Sequence, residues 1–311
     1  MTTAPFFTEI AEAPSGAESH WMTASDGVRL RVVHWRAQAA KGTVLLFPGR
    51  TEYIEKYGRD VALLTEAGFA VAVIDWRGQG LSDRLSAPEY IGHVERFLDF
   101  QKDVRALCEH VKAADLPAPH YLLAHSMGGA IGLRALHLGL PVKAAAFSAP
   151  MWGIEMPSAL RVFARVASTF ACLVGRGHNL AAGRETETVV MHGEFMDNAL
   201  TNDLEQWGYM RDQANAHPEL TLGGPSYRWI LEAMKETDAL ARLSPPKVPT
   251  VTFLGDQEAI VDAERIRSKM AEWTDGTLVP LRNAKHETLM ELPVTRDFVF
   301  KTIIAHFAAH P

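Results

Sequence analysis

Cysteine is nearly absent from this sequence: Cys108 and Cys172 are the two present among 311 residues. They lie far apart and without metal-ligand spacing, so neither a disulfide framework nor a zinc site is expected, and both read as idle thiols of a reducing compartment. No apolar run approaches the ~18 uncharged residues that a membrane-spanning helix needs. A basic excess is missing too. Lys and Arg number 31 against 37 Asp and Glu, a formal charge of −6 that excludes nucleic acid as a bulk partner. The opening stretch MTTAPFFTEIAEAPS carries acids and lacks both a basic start and an apolar run, so no secretory leader and a cytoplasmic location are expected. There is no P-loop, and RGQGLS lacks the glycine spacing of a dinucleotide fingerprint. His192 with Glu194, and Asp83, lack metal spacing. No cofactor and no metal are expected. Repeats and low-complexity tracts are also missing.

What remains is an ordinary globular composition, 47% hydrophobic and 22% charged, with material for a large core. Short apolar runs alternate with helical patterns, the signature of a parallel sheet with crossover helices. Val28–Trp35 alternates as an early strand. Buried-strand runs follow at Thr43–Phe47, Phe69–Ile74, Tyr121–Ala124, Ala144–Phe147, Thr250–Leu254 and Thr277–Leu281. Helical patterns fall between them at Tyr53–Glu66, Phe97–Lys112 and Ala130–Leu138. From about 151 to 235 the strand runs stop and several helices follow. Along Ser158–Val174, Leu160, Phe163, Ala167, Phe170 and Val174 share one helical face, while Arg161, Arg165, Ser168 and Cys172 share another. Four arginines and no acids lie between Met156 and Arg184, and six of the eleven methionines fall between 151 and 235. The expected organisation is a sheet domain built from 1–150 and 236–311, with a helical cap inserted at 151–235.

Residues 121–129, YLLAHSMGG, carry a buried strand directly into Ser126 and then a glycine pair that opens a helix. A serine on so sharp a turn needs small residues two positions either side, which Ala124 and Gly128 supply. The Met127 backbone N–H, at the new helix's start, then points to where an oxyanion would form. Serine needs an adjacent base, and His286, in NAKHETLMEL after the strand TLVPL, is the histidine so placed. His306 and His310 lie in the terminal helix or tail, and His125 is expected to point away from the reacting atoms. The acid should follow the strand within TVTFLGDQEAIVD, where Asp256 and Glu258 compete.

The segments FPGRTEY, DWRGQGLSDR, AHSMGG, GDQEAIVD and AKHETLMEL resemble the lysophospholipase and monoacylglycerol-lipase branch of the α/β-hydrolase superfamily. The likeness runs over most of the chain, and ALTNDLEQWGYMRDQANAHPELTLGGPSYRW resembles the cap of bacterial lysophospholipases. The resemblance implies an α/β-hydrolase fold: a mostly parallel central sheet flanked by helices, with an inserted cap. Its register places the acid three residues after Gly255, at Glu258, with Asp256 as the alternative. It implies attack by Ser126 Oγ on an ester carbonyl, His286 as base, Glu258 orienting the imidazole, and an acyl-enzyme that water then cleaves. The second oxyanion donor is expected at the Arg50 N–H; this chain has Pro48-Gly49 where the family usually has His-Gly. Glu52 and Arg77 are expected to pair as a brace beneath the site.

A cap rich in methionine, with Trp152, Trp207 and Trp229, suits a flexible acyl chain, and its arginine-only stretch suits an anionic headgroup or transient contact with a membrane surface. Lysophospholipids or monoacylglycerols are the expected substrates. Small carboxyl esters or acyl thioesters are the alternative. A non-catalytic binding member of the fold is the contrasting reading, against which an intact Ser–His–acid set argues.

Overall fold

The computed structural model describes residues 2–311 and contains one nine-stranded sheet. Its strands are β1 (Thr2–Thr3), β2 (Glu18–Thr23), β3 (Arg29–Trp35), β4 (Thr43–Phe47), β5 (Ala70–Ile74), β6 (His120–His125), β7 (Ala144–Ser148), β8 (Thr250–Gly255) and β9 (Gly276–Leu281). They lie in the order β1-β2-β3-β5-β4-β6-β7-β8-β9. Every pair from β5 to β9 is parallel; β1, β2 and β3 join antiparallel at one edge.

The helices are α1 (Thr8–Ala11), α2 (Gly58–Glu66), α3 (Phe100–Ala113), α4 (Ser126–His137), α5 (Ser158–Leu173), α6 (Val189–His192), α7 (Leu204–Ala216), α8 (Tyr227–Ala241), α9 (Ala263–Ala271) and α10 (Pro293–Ala308). Alternate side chains of each central strand go to opposite faces. In β4, Leu45 and Phe47 pack with Leu122, Phe147 and residues of α3, α4 and α8; Val44 and Leu46 pack with Leu123, Ala146 and residues of α2 and α10. With both faces covered, β4, β5 and β7 are buried along their whole length, which is why they read as unbroken apolar runs.

One buried ion cluster ties the front loops together. Arg31 on β3 donates through Nε to Asp75 at 2.7 Å and through both terminal nitrogens to Glu55, each at 2.7 Å. Asp75 in turn accepts from the Ile54 N–H at 2.9 Å and the Leu81 N–H at 2.8 Å. The loops after β4 and β5 are thereby fixed to each other, at the carboxyl ends of the strands where sites of such sheets form.

Between β7 and β8 the chain supplies only helices and loops. α8 runs across residue 235, and its Trp229, Ala233 and Leu240 pack into the same core as α3 and α4. No described helix is long and apolar enough to cross a membrane.

Candidate active site

Ser126 sits between the end of β6 and the start of α4 with φ +49°, a left-handed conformation that an L-residue holds only under constraint, at a cost of about 1–3 kcal/mol. The constraint is close packing. A Cβ on Gly128 would collide with the carbonyl oxygens of Phe47 and Pro48, so the turn is pressed against the end of β4.

The Ser126 Oγ lies 2.9 Å from His286 Nε2, and His286 Nδ1 lies 2.8 Å from Glu258 Oε2. The second oxygen of Glu258 accepts from the Ile260 N–H at 2.7 Å and the Val261 N–H at 3.1 Å, which fixes the carboxylate. Burial alone would raise the Glu258 pKa; the hydrogen bond and charge of His286, with those two backbone donors, bring it below the usual carboxylate value. Asp256 is exposed and its carboxylate makes no hydrogen bond. The turn between them explains the difference. Gly255, whose Cβ would strike the Ala284 carbonyl, lets β8 abut the His286 loop, and the Glu258 N–H returns to the Gly255 carbonyl at 3.4 Å. The third residue after the glycine then faces inward and the first faces solvent.

The loop after β4 presents the Arg50 N–H, which has no acceptor, beside Thr51 at φ +66°. Met127, as the second residue of α4, likewise has an N–H without an intrahelical partner. Gln79 holds this loop: its amide accepts from the Thr51 N–H at 3.1 Å and donates to the Gly49 and Glu52 carbonyls at 3.0 and 3.3 Å. Nothing in the residue pattern singled out Gln79.

The expected Glu52–Arg77 pair does not form. Arg77 turns outward from the site to Asp103 at 2.7 Å and Asp26 at 2.8 Å. Glu52 instead receives the Gly49 N–H, the Tyr57 hydroxyl and Lys56 Nζ, the last at 2.5 Å. Two local acids satisfy the guanidinium, and an i,i+4 lysine reaches Glu52 first.

Lys56 also contacts Glu287 at 2.7 Å, and His125 Nε2 faces Glu287 and Glu52 at 3.4 and 3.5 Å. The His125 Nδ1 lies 3.1 Å from the Ser148 carbonyl. Both ring nitrogens therefore face acceptors. Burial would strip the proton, but the two carboxylates outweigh it and raise the His125 pKa above its usual value. The result is two buried anions balanced by two cations, directly behind Ser126, His286 and the Arg50 loop. A raised folded-state pKa contributes stability that is complete below the ordinary ~6.5 and is lost as pH rises through the folded value. The thermal midpoint is expected to fall from pH 6 to 9 more steeply in the wild type than in His125→Gln, which starts lower. Parallel profiles would overturn the imidazolium assignment.

Among the described residues, Glu52–His125–Glu287 and His93–Glu95–His178 are the groups compact enough to hold a metal ion. Lys56 occupies the first, and Arg228 Nε stands 3.6 Å from Glu95 in the second. Both cysteines are free, and burial pushes the Cys108 thiol up to about 11.

A cavity of about 440 Å³ opens above Ser126 and His286, walled by Met151, Met156, Leu160, Phe163, Met210 and Trp229 among others. The apolar face of α5 splits: Leu160, Phe163 and Ala167 border the cavity, Leu160 and Phe163 at its exposed rim, whereas Phe170 and Val174 are exposed away from it. The arginine-only stretch is partly neutralised from other elements, since Arg165 pairs with Asp238 at 2.5 Å and Arg161 lies 3.8 Å from Asp262. From the segment between α6 and α7, the Ala199 and Leu200 carbonyls accept the His286 and Glu287 N–H groups at 3.4 and 2.8 Å. Asn202 donates to the Asn283 carbonyl at 2.9 Å.

A parallel sheet with a strained serine at a strand–helix turn, and a histidine and an acid delivered by the last two strands, defines an α/β hydrolase. The chain belongs to the family described as serine aminopeptidase, S33, whose profile matches residues 38–293. It is 32% identical over 304 residues to lysophospholipase L2 of Escherichia coli (strain K12), covering 93% of this chain and 86% of that protein. Its fold resembles a soluble variant of monoglyceride lipase from Saccharomyces cerevisiae solved with a substrate analogue, at TM-score 0.73 and 20% identity, covering 100% and 99% of the two chains. A carboxyl esterase from Bacillus coagulans matches at TM-score 0.76 and 15% identity, over 96% and 99%.

Proposed function

We propose that this protein hydrolyses carboxylic esters of single-chain lipids, lysophospholipids or monoacylglycerols, through an acyl-enzyme on Ser126. The observation that carries the reading is the Ser126–His286–Glu258 hydrogen-bonded chain, opening into an apolar cavity rather than onto bare surface. In this reading His286 Nε2 takes the Ser126 proton as Oγ attacks the carbonyl, and Glu258 steadies the imidazolium through Nδ1. The Arg50 and Met127 N–H groups hold the oxyanion, and His286 returns the proton to the leaving alcohol. Water, deprotonated by His286, then frees the fatty acid and regenerates Ser126.

Residues 151–235 act as the cap over the acyl chain. The exposed apolar residues of α5, Val162, Phe163, Val166, Phe170 and Leu173, supply a transient contact with a lipid surface. Two unpaired thiols accord with a cytoplasmic location. The family's description names an aminopeptidase, yet the cavity's unpaired charges are arginines, which repel the ammonium such a substrate carries. Small carboxyl esters and acyl thioesters remain the competing substrates, because the same triad serves them.

The test is a hydrolysis panel of p-nitrophenyl esters of rising chain length, monoacylglycerols and lysophospholipids, with fluorophosphonate labelling of Ser126. Activity confined to acetate esters would overturn the lipid assignment. Phe163→Ser is expected to lower kcat/KM on a fourteen-carbon ester about tenfold and on an acetate ester hardly at all, since one lost large apolar contact is worth about 1–3 kcal/mol. Equal losses on both would mean that Phe163 supports the fold rather than the chain.

A further inference from the structure

Arg50 carries its guanidinium to the cavity wall without a carboxylate partner among the described residues. Arg31 and Arg77 each meet two carboxylates, whereas Arg50 meets none among the described residues. One terminal nitrogen donates to the Gly223 carbonyl at 2.7 Å, and the guanidinium lies 5.0 Å from the centre of the Trp229 ring. Its Nε is buried with no acceptor. The residue keeps a partly open face, and that face lines the cavity holding Ser126.

The surroundings make room for this side chain instead of neutralising it. Gly92 stands so close that a Cβ there would come within 2.7 Å of Arg50 Nη2, so any larger residue would displace the guanidinium. Arg184, from the cap, lines the same cavity and has no carboxylate partner among the described residues. Burial, aided by the like charge of Arg184, pushes the Arg50 pKa down to about 9, so Arg50 stays charged at neutral pH. The cavity's own acids, Glu52 and Glu287, are committed to Lys56 and His125. A largely buried guanidinium with no carboxylate beside it, facing a space that the exposed Arg184 also borders, is costly unless an anion enters that space.

We infer that Arg50 and Arg184 form an anion subsite that takes the phosphodiester of a lysophospholipid headgroup while its ester carbonyl lies at Ser126. This rests on the ester-hydrolase reading and deepens it. Planar guanidinium groups match phosphate oxygens with paired N–H donors, whereas an uncharged glycerol headgroup offers them nothing comparable. Arg50 supplies its backbone N–H to the oxyanion and extends its side chain from the same residue. A substrate whose phosphate stands one glycerol away from the reacting ester can engage both. Binding energy at the phosphate is then used to position the carbonyl.

The experiment compares lysophosphatidylcholine with the monoacylglycerol of the same acyl chain, using the full-length protein. The readout is the ratio of the two kcat/KM values, which cancels general damage to the site. Arg50→Gln is expected to lower the ratio at least about tenfold, Arg184→Gln less, and Arg50→Lys to recover part of the loss. Glycerophosphocholine should compete with monoacylglycerol hydrolysis in the wild type and more weakly in Arg50→Gln. If both lipids are cleaved and the ratio is unchanged in both glutamine variants, Arg50 merely braces its loop and the subsite is overturned. If only inorganic phosphate competes and the ratio holds, the pair binds a free anion and the headgroup assignment falls. If the wild type cleaves neither lipid, the failure lies with the ester-hydrolase reading itself.

Discussion

Replacing Ser126 with alanine is expected to lower kcat on a short-chain ester by about 10⁴-fold or more, leaving only what the oxyanion donors and binding supply. Alanine removes the Oγ that lies 2.9 Å from His286 and changes little else, because Ser126 Oγ serves no other hydrogen bond. The left-handed backbone at φ +49° is as strained for alanine as for serine, so the fold should persist. Stopped assays of turnover, with circular dichroism and a thermal melt, check both halves of the expectation. Turnover near the wild-type rate, or undiminished fluorophosphonate labelling, would remove Ser126 from the mechanism.

Glu258→Gln should be nearly as severe, with kcat falling about 10³- to 10⁴-fold. Glu258 accepts on both oxygens, from two backbone N–H groups on one and from His286 Nδ1 on the other. A glutamine can keep its carbonyl toward only one of those sides. With the carbonyl on Ile260 and Val261, its NH₂ faces His286 and selects the tautomer whose Nε2 already carries hydrogen. That histidine cannot take the serine proton. Asp256→Asn, two residues away in solvent, should cost less than about twofold, because its carboxylate holds nothing. Were Asp256→Asn the crippled variant and Glu258→Gln active, the acid would be misassigned while Ser126 and His286 stood. Retained activity in both would undo the triad.

The parts of this fold that were legible in the sequence are those with one dominant cause. Strands buried on both faces, such as TVLLF, are apolar after their first residue, and the strand-serine-glycine join has a steric reason for each of its two glycines. The strand β2, ESHWMT, next to the sheet's edge, was not read, because it is only partly buried and mixes polar residues with one large aromatic. The choice between Asp256 and Glu258 came from a family register; the turn geometry that separates them involves Gly255 meeting a loop 29 residues further on. The expected Glu52–Arg77 contact failed for a related reason. A charged residue's partner is set by whichever opposite charge the fold brings nearest, and Asp26 and Asp103 were closer to Arg77. The buried balance of Lys56, His125, Glu52 and Glu287 draws on the segment after β4, the end of β6 and the loop after β9, and no local spacing announces it.

The backbone bonds from Ala199 and Leu200 to the His286 loop bear on how such a protein can be rebuilt. A graft that replaced the entire 151–235 segment with another lid would remove the carbonyls that hold the base's loop, together with Asn202's grip on Asn283. Chimeras should therefore be cut so that 198–203 stays with the recipient, and so should α6, whose Val190 packs with Met290 just past the His286 loop, leaving α5 as the exchangeable module. Libraries aimed at new acyl preferences gain the same rule: diversity belongs on α5, where the cavity wall can vary without disturbing the catalytic loop.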